Sequence, residues 1–200
     1  MEFKHISVLF EETMQYLNIK PDGLYVDGTL GGGGHAYGIL ERSANGRLVG
    51  IDQDREAIAA AKERLAPFAG RVVFVNRNFS GILEILRELH IDGIDGAVLD
   101  LGVSSYQLDN AGRGFSYMQD AKLDMRMNPD GDKSAYDVVN GYTKEELTRI
   151  FYEYGEENWA KRIAAFIVER RSVKPLETTG ELVEVIKAAI PKKARVEGSH

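Results

Sequence analysis

Four consecutive glycines, Gly31 to Gly34, constrain this chain more than any other feature. Glycine inside a helix or strand costs roughly 0.5–1 kcal/mol per residue against alanine, so such a run belongs in a turn. It is preceded by the apolar stretch Leu24-Tyr25-Val26-Asp27 and followed by Tyr37, Ile39 and Leu40 at helical spacing. The order is therefore strand, glycine turn, helix. The unit then repeats: residues 47–52 form an apolar strand, and Asp54 caps a helix carrying Ala57, Ile58, Ala61 and Leu65 that closes near Pro67. A third strand spans residues 72–75, a helix runs from about residue 80 to 89, and a fourth strand spans residues 97–101 after the turns Asp92-Gly93 and Asp95-Gly96. Short apolar strands alternating with helices imply a parallel sheet covered on both faces, joined by right-handed crossovers. The fold class expected is α/β and Rossmann-like.

Residues 7–18 read as an additional amphipathic helix, capped by Ser7, with Val8, Leu9, Met14 and Leu17 on its apolar side. Beyond Leu101 the pattern changes. Residues 102–134 contain Gly102, Gly112, Gly114, Pro129 and Gly131 with several Ser and Asn and show no sustained period, and a stretch of that kind in a compact domain is usually functional. Helices then resume with two capping boxes, Thr143 with Glu146 and Thr178 with Glu181. Between them a long helix is expected over residues 156–171, with Trp159, Ile163, Phe166 and Ile167 on one side, and Pro191 ends the last helix. The division expected is a sheet-bearing core over residues 1–105 and an irregular segment plus all-helical insert over residues 106–200.

Composition removes several classes of chemistry. Cysteine is absent and only four histidines occur, which excludes disulfides and thiolate chemistry and leaves no imidazole-rich metal site; no metal is expected. The start lacks a signal-peptide pattern and no run of about 18 apolar residues occurs, so a cytoplasmic chain is expected. The net charge of −6 argues against non-specific duplex binding, although residues 161–200 hold 9 Lys and Arg against 5 Asp and Glu.

The glycine turn lets a ligand approach the backbone, and Gly33 and Gly34 precede a helix start whose amides face it. Asp52 ends the second strand, where a carboxylate can accept from ribose hydroxyls. Together they indicate an adenosine cofactor. The spacing Gly31-x-Gly33-x-x-Ala36 also fits a dinucleotide, so an NAD-dependent dehydrogenase stands as an alternative. Asp27 favours the other choice: a carboxylate at the end of the first strand would oppose a pyrophosphate but suits the ammonium and sulfonium of S-adenosylmethionine. Phe79, just after the third strand, can stack on adenine. Asp100 ends the fourth strand before Gly102-Val103-Ser104-Ser105, where it can accept hydrogen bonds from the cofactor's amine or from an incoming exocyclic amine. Such an amine is a poor nucleophile, so orientation helps it more than a strong base.

The runs at residues 26–35, Asp100-Leu101-Gly102-Val103-Ser104-Ser105, Arg113-Gly114-Phe115-Ser116-Tyr117 and Leu123-Asp124-Met125-Arg126-Met127 closely resemble the bacterial 16S ribosomal RNA cytosine N(4)-methyltransferases. So do His5 with Val8-Leu9, residues 154–157 and residues 178–182, and the likeness extends from His5 to Gly198. The resemblance implies an S-adenosylmethionine-dependent enzyme that methylates a cytidine amino nitrogen in the decoding region of 16S rRNA, in the small ribosomal subunit. It places cofactor contacts on Gly33, Gly34, His35, Asp52, Phe79, Asp100 and Gln107; His35 and Gln107 rest on the resemblance alone. Asp100 takes an orienting role at the reacting centre. Arg113, Phe115 and Arg126 are candidates for RNA contact, the alternative being an ordered loop held by arginine-to-backbone bonds. Tyr106 and Lys122 stand where the family usually has proline. The family continues with a basic segment and further strands, so the fourth strand is expected to be an exposed edge here. A non-catalytic RNA- or ribosome-binding remnant is then a second alternative.

Overall fold

The computed structural model describes residues 7–194. His5 and Gly198, at the two ends of the resembling stretch, lie outside the described residues. The chain forms two compact units, one running up to Ser104 and including Met127–Pro129, the other made of Ser105–Arg126 and the chain from Asp130 onward.

The first unit is built on four parallel strands, β1 (Leu24–Asp27), β2 (Arg47–Ile51), β3 (Val72–Val75) and β4 (Gly96–Val98), in the order β3-β2-β1-β4. β1 lies between two neighbours, and accordingly Tyr25 and Val26 are fully buried. Helices α1 (Phe10–Tyr16), α2 (Gly34–Arg42), α3 (Arg55–Arg64) and α4 (Ile82–Glu88) accompany the strands. Ile39, Leu40, Leu48, Ile58 and Leu65 join Tyr25 in one core cluster, while Val26, Val49, Ile51 and Ile85 form another. The chain moves outward from β1 to β2 and β3 and then crosses to the opposite side of β1 for β4. In open α/β sheets the crevice outside the carboxyl ends of the strands at such a reversal is where ligands bind. Asp27 occupies that point, opposite Gly50 on one side and Val98 on the other.

Three expectations need correction in this unit. Ser7 does not cap α1: the helix begins after Leu9, whose left-handed φ of 49° prevents an earlier start, and Val8 and Leu9 are exposed. β4 ends at Val98, because β1 stops at Asp27 and the next free amide, that of Asp100, turns to the Thr29 hydroxyl at 2.7 Å; Leu99 and Leu101 consequently face outward. The helix expected from residue 80 starts as a 3-10 turn over Phe79–Gly81, capped by the Asn78 side chain, before α4 begins.

The second unit contains α5 (Ser105–Asp109), α6 (Ala135–Gly141), α7 (Lys144–Glu153), α8 (Ala160–Arg171) and α9 (Thr179–Ala189). Both expected capping boxes are present, and Ser134 with Asp137 forms a third that opens α6. α8 starts at Ala160 rather than at residue 156, since Glu156 adopts a left-handed φ of 49° and leaves Trp159 at the cap position, partly exposed. Leu147, Ile163, Ile167 and Leu176 form the centre of this unit's core.

The irregular segment is tied into that core. Lys122 forms an antiparallel bridge with Thr178, the Leu123 amide donates to the Glu177 carbonyl (3.0 Å), and the Leu123 side chain is buried. Asn140 fixes the segment before α9 from the other side: its Nδ2 donates to the Leu176 carbonyl (2.8 Å) and its Oδ1 accepts from the Leu176 amide (2.9 Å). Asn140→Ala strands both backbone groups of the fully buried Leu176 and should destabilise the protein by roughly 1–3 kcal/mol. A urea titration that gives the same midpoint for variant and wild type would contradict this.

Candidate functional site

β1 ends in Asp27, and the next ten residues build the site around it. The Asp27 side chain is 1% exposed, and its Oδ1 accepts from the Thr29 amide at 3.1 Å. The carboxylate thus braces the start of the glycine turn. Gly31 and Gly33 have φ of 50° and 75°, in the left-handed region that a side chain rarely adopts. Gly33 is the residue before α2, and Gly34 is its first residue. Gly32, at the tip, is exposed and has open space where a Cβ would stand. That bare backbone lets a ligand come close.

Asp52 anchors the other side of the turn. Its Oδ2 accepts from the Gly31 amide (2.8 Å) and its Oδ1 from the Asp54 amide (2.9 Å). Each carboxylate oxygen has a second lone pair, so the group retains acceptor capacity for a ligand hydroxyl. Asp100 is exposed at the end of β4, its backbone held by Thr29. Thr29 is a residue that the sequence does not mark out: its hydroxyl fixes the position of Asp100, and only the pairing of β1 with β4 reveals it. Phe79 is half-buried close to Gly28, where an added Cβ would stand 3.3 Å from its own.

The remaining expected site residues are placed as follows. His35 is 7% exposed; its Nε2 lies 3.1 Å from the Val8 carbonyl oxygen and its ring stacks on Phe10. The imidazole therefore holds the N-terminal segment, and its backbone amide is the group left at the helix start. One edge of the first unit carries Gly33, Gly34, His35, Asp52, Phe79 and Asp100. Gln107 lies on α5 in the second unit, buried at 6% exposure.

The arginines considered for RNA contact are engaged within their loop. Arg113 is buried and donates to the Arg126 carbonyl (2.9 Å), with its guanidinium over Phe115. Arg126 makes a two-point pair with Asp124 (3.0 and 2.7 Å) and donates to the Gly131 carbonyl (3.0 Å). The ordered-loop alternative is what the structure shows for these side chains.

Electrostatics at the strand ends are unbalanced toward negative charge. Burial pushes the Asp27 carboxyl up to about 7; the Thr29 and Ala36 amides oppose the rise, and the charges of Asp52 and Asp100 add to it. Burial also raises Asp52, against the amides of Asp54 and Gly31 and with the help of the Asp54 charge. Such a site suits a ligand that brings positive charge. Among the described residues, no group of three or more His, Asp or Glu side chains could hold a metal ion.

Sheet order, glycine turn and carboxylate row together define a Rossmann-like methyltransferase fold. The chain belongs to the MraW methylase family, which it matches over residues 2–200. It is 61% identical over 201 residues to the ribosomal RNA small subunit methyltransferase H of Clostridioides difficile, covering 100% of this chain and 65% of that protein. It is 62% identical over 199 residues to the protein of the same name from Clostridium botulinum strain Loch Maree, covering 99% and 64%. The chain therefore spans 64–65% of the length of these relatives. An rRNA methylase structure from Streptococcus thermophilus superposes with a TM-score of 0.41 at 17% identity, over 49% of this chain and 57% of that one. No described helix is long and apolar enough to cross a membrane.

The raised Asp27 value carries a stability consequence. A folded-state value near 7 against an unfolded 3.8 means that the folded form binds this proton more tightly. Its contribution is fully present below about pH 4 and is lost as pH rises to about 7, by at most roughly 4 kcal/mol. Asp27→Asn removes the titration, so from about pH 5 to about pH 8 the free variant should lose less stability than wild type. Parallel denaturation profiles over that range would show that Asp27 does not titrate this way.

Proposed function

We propose that this chain forms the cofactor-binding part of an S-adenosylmethionine-dependent methyltransferase acting on the N(4) amino group of a cytidine in the decoding region of 16S rRNA, within the small ribosomal subunit. The observation that carries the reading is the buried Asp27 carboxyl, flanked by the like charges of Asp52 and Asp100 at the strand reversal beside an open glycine tip. A dinucleotide's pyrophosphate would meet repulsion there, whereas an ammonium and a sulfonium relieve it. The names of the relatives support rRNA of the small subunit as the substrate class. A ribosomal substrate would place the protein in the cytoplasm.

The residues fit the cofactor group by group. Asp27 and Asp100 supply acceptors and negative potential for its cationic end, Asp52 accepts from ribose hydroxyls, and Phe79 offers an aromatic face to adenine. The amides of Gly34 and His35 stand at the start of α2 beside the glycine turn. When bound, the cofactor provides an electrophilic methyl group. Asp100, exposed and held through its backbone by Thr29, accepts a hydrogen bond from the cytidine amine and aligns its lone pair. It acts by orientation.

The test is calorimetric titration of this chain with S-adenosylmethionine, with NAD as the control ligand. Saturable binding of S-adenosylmethionine alone is expected; binding of NAD in its place would overturn the reading. Since Asp27 holds its proton below about pH 7, affinity should rise severalfold, at most about tenfold, between about pH 6 and about pH 7.4. Gly32→Ala should weaken binding while leaving the melting temperature unchanged, because its Cβ meets no protein atom within 4 Å. Asp52→Ala should cost about 1.5–3 kcal/mol of binding through loss of a charged acceptor, and an unchanged affinity would remove Asp52 from the site.

A further inference from the structure

A hydrogen-bonded chain of side chains at the carboxyl edge of the first unit ends on a residue that the function above does not use. Asn78, after β3, accepts from the Ser80 amide through Oδ1 (2.9 Å) and donates through Nδ2 to Gln53 Oε1 (2.9 Å). Gln53, which follows Asp52 directly, donates through Nε2 to the thioether sulfur of Met127 at 3.3 Å. A thioether is a weak acceptor, so this bond stabilises little; its effect is to fix where the methionine stands.

Met127 meets Gln53 within the first unit. Met127–Pro129 is the part of the irregular segment that groups with the first unit, while Arg126 and Asp130 on either side group with the second. The Arg126 guanidinium, locked on Asp124, reaches across to the Gly131 carbonyl (3.0 Å) and closes residues 126–131 into a narrow-necked loop. The tip of that loop carries Met127, half-buried, to the end of β2. Asp52, Gln53, Asn78 and Phe79 all lie on this rim, where the proposed site receives the adenosine end of its ligand. A flexible, polarisable thioether is well suited to contact with an aromatic ring.

We propose that Met127 is a specificity and positioning residue for the purine ring, supplying an apolar contact to it, and that Gln53 and Asn78 serve to hold the thioether in place. This rests on the S-adenosylmethionine reading above.

The test uses two ligands, S-adenosylmethionine and 5′-methylthioadenosine, which carries the adenosine but neither the ammonium nor the sulfonium. Met127→Ala should weaken both by a similar factor, about five- to tenfold, at an unchanged melting temperature. Met127→Leu, of similar volume, should restore both to within about threefold of wild type. Asp27→Asn should weaken S-adenosylmethionine and spare 5′-methylthioadenosine, which separates the cationic end from the purine end. If wild type binds both ligands and Met127→Ala binds them equally well, the inference falls and the methyltransferase reading stands. An equal loss in the leucine variant, or a lowered melting temperature in Met127→Ala, overturns it in favour of a purely structural loop. If wild type binds neither ligand, both readings fall together.

Discussion

A buried carboxylate at the last rung of the central strand organises the first unit. Asp27 closes β1 and accepts from the amide of Thr29, which ties the start of the glycine turn to the strand end. Burying a charge without a cationic partner is costly, and the cost here appears as a carboxyl pushed up to about 7. A residue chosen for stability alone would be neutral at this position. The charges of Asp52 and Asp100 add to that pressure, so the edge of the sheet carries concentrated negative potential.

The surrounding turn follows from the same requirement. Gly31 and Gly33 adopt left-handed backbone, which brings the Gly31 amide onto Asp52 and the Gly33 amide onto the Leu30 carbonyl at 2.8 Å. Thr29 joins β1 to β4 by holding the Asp100 backbone. Three strand ends are thereby tied together by hydrogen bonds between side chains and backbone.

The second unit orders a long irregular segment by other means. Leu123 is buried in the helical core, Lys122 bridges to Thr178, and Arg113 and Arg126 satisfy carbonyls within the segment. A guanidinium has five donors in a rigid fork, so two arginines can serve the backbone that helices and strands would otherwise satisfy. The segment is structured without being regular, which is why its composition resembles that of a loop and its burial resembles that of a core.

Much of this was legible in the residues. The alternation of apolar runs with helical spacing determined β1, β2 and β3 almost to the residue, and the boxes at Thr143 and Thr178 determined two helix starts, because periodicity and capping are local effects. The glycine turn between β1 and α2 was likewise legible, because glycine's left-handed freedom is a local property. Long-range partners decided the rest. The early end of β4, the commitment of the His35 ring to Val8, the engagement of Arg113 and Arg126 within their loop, and the meeting of Gln53 with Met127, 74 positions apart, all depend on contacts between distant segments. Local sequence determines what a residue can do, but which hydrogen-bond partner or packing surface it meets is set by the tertiary fold, because folding brings those partners within reach.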